Sequence, residues 1–378
     1  MNPKFFLRML VIGMIPLICA WPVRVYAGDP KTLPIGAPAP DFNLQGVDGK
    51  MYTLSSFKQA AVLIVIFTCN HCPTAQSYED RIIKLTADYT GRNVAVVAIM
   101  PNDPKALRLD ELDFSDLGDS YDDMKTRAKD KHFNFPYLYD GKTEAASIAY
   151  GPVATPHVFI FGKNRKLRYC GRFDDMENHD KIPTSNDARN AVEALLTDKE
   201  VPVQTTKVFG CSVKWSDKRA SVQKSMDKWA LEPVKVDTIT TAGIHELVKN
   251  NSGRLRLINI WSASCIVCTR QFKQFISINR MYRDRDFEFI SLNVDEPRKK
   301  KVILSFLQNQ HASNQNYIFR RDVNSKFNET IDPAWKGGLP YTILLEPGGK
   351  IFYSKQGSVD PAQLKKVIVE NHLIGRYP

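Results

Sequence analysis

Two pairs of cysteines with the spacing C-x-x-C have the residue type and the spacing that thiol–disulfide chemistry requires. Cys69 and Cys72 form the first pair, and Cys265 and Cys268 form the second. In such a pair, the second thiol can resolve a mixed disulfide that has formed at the first. We therefore expect Cys69 and Cys265 to attack and Cys72 and Cys268 to resolve. No organic cofactor and no metal is expected, because the dithiols themselves carry the two electrons.

Each pair follows an apolar run and precedes a helical pattern. The runs at 61–67 and 255–261 predict strands buried on both faces. After each pair, apolar residues recur at helical spacing, so we expect the cysteines at a helix N-terminus. Free N–H groups and the helix dipole stabilise a thiolate there, which we place on Cys69. A protonated His71 would add to this stabilisation.

The cysteines also have alternative interpretations that involve no redox chemistry. A closed zinc site needs four ligands close together, and the two pairs lie far apart on separate strand–helix units. For Cys265 and Cys268 the alternative is a structural disulfide, because the apolar residues between them disfavour a thiolate. Cys170 lies in a strand pattern that is typical of core residues. Cys211 is either a third redox thiol or a buried thiol without such a role.

The length of 378 residues and the alternation of strand and helix patterns predict an α/β protein of two domains. The basic start and apolar stretch of residues 1–27 have the features of an export signal, with a small residue at the cleavage position. We expect a first domain over 28–215, a linker over 216–233 and a second domain over 234–378. This organisation predicts a periplasmic or otherwise extracytoplasmic protein, in which only an uncleaved signal would contact the membrane.

The positive charge is concentrated in the second half of the chain. Residues 1–215 hold 26 Lys and Arg against 25 Asp and Glu, whereas residues 216–378 hold 26 against 16, which together give the net charge of +11. A nucleic-acid-binding face is one interpretation of such an excess. Export argues against it, so we expect a solvated basic surface and no nucleic-acid partner.

Both halves resemble known redox families. Residues 36–200 are similar to exported redoxins of the alkyl-hydroperoxide-reductase and thiol-specific-antioxidant type, and residues 234–378 to periplasmic thiol–disulfide oxidoreductases of the cytochrome-maturation type. In the first half the similarity is carried by Ala39–Phe42, Thr68–Pro73, Phe135–Leu138, Tyr150–Gly151, Ala154–His157, Gly171–Asp175 and Gly210–Trp215. In the second half it is carried by Trp261–Cys268 and Gly338–Pro340.

The resemblance implies two tandem thioredoxin-fold domains, each a central mixed sheet flanked by helices. In this fold the proline before the third core strand is cis and faces the cysteines, which assigns that role to Pro156 and Pro340. The resemblance also implies that the backbone at Thr155 and Leu339, beside these prolines, binds the substrate peptide.

Together these expectations describe an exported thiol–disulfide oxidoreductase with two C-x-x-C sites. Its partners would be exported proteins with thiols or disulfides and a thiol electron donor or acceptor. One alternative is a thiol-dependent peroxidase, although the proline that peroxide-reducing redoxins place shortly before the reactive cysteine is missing between Ala60 and Cys69. The other is a non-catalytic thioredoxin-fold module that binds client proteins.

Overall fold

The computed structural model describes residues 30–176, 182–320 and 327–377. The segment predicted to be an export signal, residues 1–27, lies outside the described residues. Within these three ranges the chain forms two large mixed sheets with helices packed against them, in agreement with the predicted α/β class. None of the helices described has both the length and the apolar character of a membrane-spanning helix.

The first large sheet is built around the predicted buried strand, β3. The described strands of this half are β1 (Asn43–Gly46), β2 (Met51–Thr53), β3 (Val62–Phe67), β4 (Val94–Met100), β5 (Tyr137–Tyr139), β6 (Ala154–Thr155), β7 (His157–Phe161), β8 (Leu167–Gly171) and β9 (Cys211–Ser212). The sheet runs β2-β1-β5-β4-β3-β7-β8, and every residue of β3 is buried. Strand β4 is parallel to β3, whereas β7 is antiparallel to it. Strands β6 and β9 pair with each other outside this sheet.

The helices of the first half include one that the sequence pattern does not predict. They are α1 (Pro73–Asp88), α2 (Tyr121–Asp130), α3 (Ala145–Tyr150), α4 (Asp187–Leu196) and α5 (Arg219–Ala230). Helix α5 occupies most of the segment predicted to be a linker, residues 216–233. Only Trp229 of this helix is buried, and a helix with one buried residue has no apolar periodicity to detect.

The second large sheet repeats the arrangement of the first around β11. Its strands are β10 (Asp237–Ile239), β11 (Leu255–Trp261), β12 (Phe287–Asn293), β13 (Gln315–Phe319), β14 (Tyr341–Leu345) and β15 (Ile351–Gln356), in the order β10-β13-β12-β11-β14-β15. The described helices are α6 (Thr241–Lys249), α7 (Ile266–Tyr282), α8 (Lys300–Asn309), α9 (Phe327–Ile331) and α10 (Pro361–Glu370).

Both sheets have the thioredoxin arrangement. The strand before each cysteine pair, β3 or β11, lies between a parallel strand and an antiparallel hairpin, and a helix starts directly after the pair. The peptide bonds Thr155–Pro156 and Leu339–Pro340 are both cis, as predicted. Two thioredoxin-fold sheets therefore position the two cysteine pairs.

The acidic segment 101–120 joins the two halves. It is predicted to be an irregular insertion or loop, and its regular structure is limited to two short 3-10 turns. Leu107 and Leu112 are buried in the hydrophobic core that α7 and its neighbours form in the second half. The hydroxyl of Tyr282, at the end of α7, donates a hydrogen bond of 2.8 Å to the carbonyl of Ser115. The segment is therefore packed between the two halves.

Candidate active sites

The first cysteine pair lies in a buried loop between β3 and α1. Cys72 is the N-cap residue of α1, which begins with Pro73, and Cys69 lies three residues earlier in the chain. The exposed fractions are 2% for Cys69 and 0% for Cys72. The predicted helix N-terminus is present and begins after the second cysteine, and both cysteines are buried.

Thr155 lies against both sulfurs of this pair, so the predicted site residues of the first half come together. Its hydroxyl is 3.0 Å from the Sγ of Cys69, and its carbonyl oxygen is 3.4 Å from the Sγ of Cys72. Pro156 follows it, and Thr155 itself is 1% exposed. Through Thr155, the edge of β6 thus contacts both sulfurs.

A third thiol, that of Cys211, completes the first site. The backbone N–H of Cys211 donates a hydrogen bond to the Sγ of Cys72 at 3.3 Å. Cys211 pairs with Thr155 in the short β6–β9 ladder. Of the two alternatives for Cys211, this position beside the cysteine pair fits the third redox thiol.

The surroundings of the three sulfurs place the negative charge on Cys72. Burial acts to raise its pKa, but hydrogen bonds from Cys211 and Cys69 and the positive charge of His71 outweigh it and hold the pKa well below the usual range. Burial, the hydrogen bond to Cys72 and the carboxylate of Asp119 raise the pKa of Cys69 well above that range. Our placement of the thiolate on Cys69 is therefore wrong for this geometry.

His71 supports that thiolate from within a buried hydrogen-bond network centred on Asp119. The Nδ1 of His71 lies 2.6 Å from Oδ2 of Asp119, which also accepts a 2.7 Å hydrogen bond from the side chain of Asn102. The other oxygen, Oδ1, accepts the backbone N–H groups of Asn70 at 3.0 Å and His71 at 3.2 Å. The carboxylate thus fixes the loop between the two cysteines and neutralises the imidazolium.

Three side chains of this network are of the types that bind metal ions. The thiol of Cys69, the imidazole of His71 and the carboxylate of Asp119 bring their heteroatoms within 4.8 Å of one another. The two oxygens of Asp119 are already used by four N–H donors. Asp119 therefore acts as a hydrogen-bond acceptor that orders the loop between the two cysteines.

Asp119 is the functional residue that sequence reasoning missed. It lies in a run with many acidic side chains, which is typical of a solvated surface. It is nevertheless only 1% exposed, because segment 101–120 closes over the loop between the cysteines. No local pattern distinguishes it from the other acidic residues of the segment.

Cys170 lies away from this cluster, as its strand pattern predicts. It lies on β8, 7% exposed, and its Sγ is 3.2 Å from the Nε2 of His157 on β7. Burial raises the pKa of Cys170 to about 12 and lowers the pKa of His157 to about 3. Both side chains are therefore uncharged core residues.

The second cysteine pair is more open than the first. Cys265 and Cys268 form a disulfide with a Cα–Cα distance of 5.2 Å, and Cys265 is the partly exposed N-cap of α7. Between them, Ile266 is 66% exposed and Val267 is 47% exposed. Leu339, which precedes Pro340, packs against the same core as Cys265. The second site thus combines an accessible sulfur with exposed apolar side chains.

An acidic residue also orders the loop at the second site. Asp295 accepts hydrogen bonds from the backbone N–H of Ala263 at 2.7 Å and from the hydroxyl of Ser262 at 3.0 Å. Burial acts to raise the pKa of Asp295, but these hydrogen bonds, with those from Asn293 and Lys299, outweigh it and lower the pKa. The cationic side chain beside this carboxylate is that of Lys299, at 3.3 Å, and the carboxylate holds the strand-to-helix turn.

The two sites lie at opposite ends of α7. Tyr282, the last residue of the helix, contacts Ser115, whose hydroxyl is 3.5 Å from the carbonyl of Asn70 in the first site. Cys265 precedes the first residue of the same helix. At 1.5 Å per residue, the 17 residues of α7 span about 25 Å between Cys265 and the contact with Ser115.

Comparison with known proteins identifies the first half. Residues 35–170 match the model of the AhpC/TSA family. The matched range includes Cys69, Cys72, Thr155 and Pro156. It ends before Cys211, which joins the site from outside that range.

Solved structures with similarity to this chain come from several bacteria. A hypothetical protein from Sinorhizobium meliloti 1021 is 33% identical, with 50% of this chain and 98% of that chain covered and a TM-score of 0.44. An uncharacterized conserved protein from Geobacillus kaustophilus is also 33% identical, with 51% and 98% covered and a TM-score of 0.45. The thioredoxin domain of a thiol-disulfide oxidoreductase from Bacteroides vulgatus is 15% identical, with 36% and 86% covered and a TM-score of 0.30. No curated protein matches the chain.

Proposed function

We propose that this protein is an exported thiol–disulfide oxidoreductase that meets its protein substrates at Cys265 and Cys268. The observation that carries the proposal is the disulfide at the start of α7, with a partly exposed Cys265 beside the exposed side chains of Ile266 and Val267. A sulfur that is accessible and surrounded by apolar surface suits an unfolded or flexible client that carries its cysteine among apolar residues.

The chemistry at this site is a reversible exchange that conserves electrons. The reduced Cys265 thiolate attacks one sulfur of a client disulfide, so that a Cys265–client bond forms and the client bond breaks. Cys268 then attacks Cys265, which releases the client as a dithiol and leaves the Cys265–Cys268 disulfide. The client gains two electrons, and a small-molecule or protein dithiol restores the pair. The reverse sequence oxidises a client.

The turn before Cys265 prepares that site for attack. Cys265 caps α7 and its Sγ accepts the backbone N–H of Cys268 at 3.2 Å, which favours the negative charge of a thiolate. Asp295 holds the preceding residues by hydrogen bonds and has no contact with the sulfurs among those described. The helix start therefore supplies electrostatic support, and the two residues between the cysteines, Ile266 and Val267, carry no charge.

Reduction of insulin disulfides by dithiothreitol tests this proposal. The full chain is expected to accelerate the reaction, and Cys265→Ser is expected to abolish the acceleration. Cys170→Ser, which alters a buried core thiol of the other half, is the matched control and is expected to leave the rate unchanged. Equal rates for wild type and Cys265→Ser would contradict the proposal. Consumption of hydrogen peroxide with a thiol donor would instead support the peroxidase, and client binding without turnover would support the binding module.

Export is tested separately at the N-terminus. The proposal predicts that the mature chain isolated from the extracytoplasmic space begins near Gly28, because Ala27 is the expected last residue of the signal. N-terminal sequencing of that material measures the cleavage site. A chain that stays in the cytoplasm with its first residues intact would overturn this part of the proposal.

A further inference from the structure

The backbone edge next to the first cysteine pair is occupied by the protein itself. We call residues 209–215 the strap. Within it, β9 pairs antiparallel with β6, so that Cys211 lies opposite Thr155 and Ser212 opposite Ala154. Because Thr155 contacts both sulfurs of the pair, this edge is where an extended peptide must pair to bring a cysteine to them. The strap therefore lies where a substrate peptide would lie.

The strap fits this edge closely. Gly210 has a φ of +130°, and a Cβ atom added there would lie 2.1 Å from the carbonyl oxygen of Thr155. On one side of Cys211, Phe209 packs against the core that contains Cys69 and Cys72. On the other side, Val213 is 1% exposed. Only a glycine at position 210 lets the backbone approach Thr155 this closely.

Polar contacts anchor the far end of the strap. The backbone N–H of Lys214 donates to the side-chain oxygen of Asn102 at 2.8 Å, and its ammonium group donates to Glu111 at 2.7 Å. Asn102 is the residue that also donates to Asp119 in the first site. The strap and the hydrogen-bond network of the first site are thus joined through a single buried amide.

We propose that the strap is an internal substrate of the first site, with Cys211 as the thiol that exchanges with the Cys69–Cys72 disulfide. This inference rests on the proposed redox function and adds a residue and a substrate to it. Cys211 attacks the sulfur of Cys72, the Cys72–Cys211 bond forms, and the Cys69–Cys72 bond breaks. The proton that leaves Cys211 goes to Cys69. The step is an exchange within the chain, and it needs no oxidant or reductant.

In this proposal the two sites react with different substrates. While the strap is docked, external peptides cannot pair with β6, so the first site exchanges with Cys211. The second site, in which Cys265 is partly exposed, exchanges with clients. The first site is then a closed set of three thiols that stores one disulfide in either of two positions.

Disulfide mapping of the full chain tests the exchange. The reduced protein is incubated with oxidised glutathione, digested without reductant and analysed by mass spectrometry. In Cys69→Ser, the Cys72–Cys211 disulfide is expected as the main product of the first half. It forms when Cys211 displaces glutathione from Cys72, or when Cys72 displaces glutathione from Cys211. A product set without a Cys72–Cys211 bond would overturn the proposal. Cys170→Ser is the control and is expected to leave the pattern unchanged.

A second variant tests the docking of the strap without removing a sulfur. Gly210→Ala is expected to push the strap from β6 and to raise the alkylation rate of Cys69 and Cys72 by iodoacetamide about tenfold, as for a locally opened segment. Gly91→Ala is the matched control, since Gly91 also has a positive φ but has open space around its Cβ position. Equal alkylation rates for wild type and Gly210→Ala would contradict the docked strap.

Insulin reduction separates the two proposals. Wild type is expected both to reduce insulin through Cys265 and to form the Cys72–Cys211 disulfide. If wild type reduces insulin but forms no such bond, only the internal substrate is refuted. If wild type fails to reduce insulin while the Cys72–Cys211 bond forms, the client-directed function is refuted instead.

Discussion

The imidazole of His71 and the carboxylate of Asp119 are joined by a hydrogen bond of 2.6 Å, and both groups are buried. Burial alone would lower the pKa of His71, but the charge and the hydrogen bond of Asp119, together with the negative charge on Cys72, raise it. These interactions favour the imidazolium form of His71 beside the carboxylate of Asp119. Each of the two opposite charges lowers the cost of burying the other.

The first prediction concerns this set of charges. His71→Gln removes the positive charge but leaves Asp119 and Cys72 in place, so the pKa of Cys72 is expected to rise by about one unit or more. The ultraviolet absorbance of the thiolate, followed against pH, measures this shift. The titration uses a Cys265→Ser/Cys268→Ser background, so that the second pair does not contribute.

His245→Gln serves as the control for that titration. His245 is exposed on α6 in the second half, and its substitution is expected to leave the curve unchanged. An unchanged or lower apparent pKa in His71→Gln would mean that the imidazole does not stabilise the thiolate.

The second prediction concerns the apolar surface at the second site. Ile266→Lys and Val267→Lys place a charge where an apolar client segment is expected to pack. Loss of about 1 kcal/mol of contact corresponds to a rise in KM for insulin of about fivefold. Val302→Lys is the matched control, because Val302 is 63% exposed on α8 of the same half. Equal increases in KM for all three variants would indicate a general effect of charge.

The third prediction concerns the buried ion pair between Glu79 of α1 and Arg127 of α2. Their side chains are 2.6 Å apart, and they lie beneath the first site. Arg127→Met leaves the carboxylate buried without its partner, and this is expected to lower the free energy of unfolding by about 3 to 5 kcal/mol. Urea unfolding of the full chain measures the loss. Glu79→Gln in the same chain is expected to recover part of it.

The pH dependence of that loss follows from the pKa of Glu79. Burial raises it even though Arg127 opposes the effect, so the folded protein holds a proton more tightly than the unfolded chain does. The stability linked to this group is therefore present at acidic pH and is lost as the pH rises through the folded-state pKa. Arg127→Met is expected to steepen this loss. A variant that is least stable in acid would contradict this sign.

The sequence predicts the parts of the fold that carry strong local patterns. The apolar runs of β3 and β11, the helices after the cysteines and both cis peptide bonds agree with prediction. Strand β10 and strand β13 were missed, since β10 has a single buried residue and β13 begins with polar side chains. Their place in the sheet depends on parallel pairing with distant strands, which no local window contains.

The sequence predicts which sulfurs form the candidate site. It does not predict which of them carries the negative charge. The C-x-x-C spacing indicates Cys69 and Cys72 directly. Which of them holds the thiolate depends on where α1 starts, and a difference of three residues moves the helix N-terminus from one sulfur to the other. It also depends on Asp119 and Cys211, which come from loops that fold over the pair. Such long-range neighbours leave no spacing signal in the chain.

The segment that carries Asp119 has a second contact surface, because Leu107, Leu112 and Ser115 lie against the second half. The free energy of docking the two halves therefore also helps to hold the carboxylate beside His71. Cutting the chain between the halves would remove that support and change the acidity of a sulfur in a half that keeps all its own residues. The redox properties of the first pair thus depend on the whole chain. A fragment that holds only the first half is expected to differ from the whole chain in these properties.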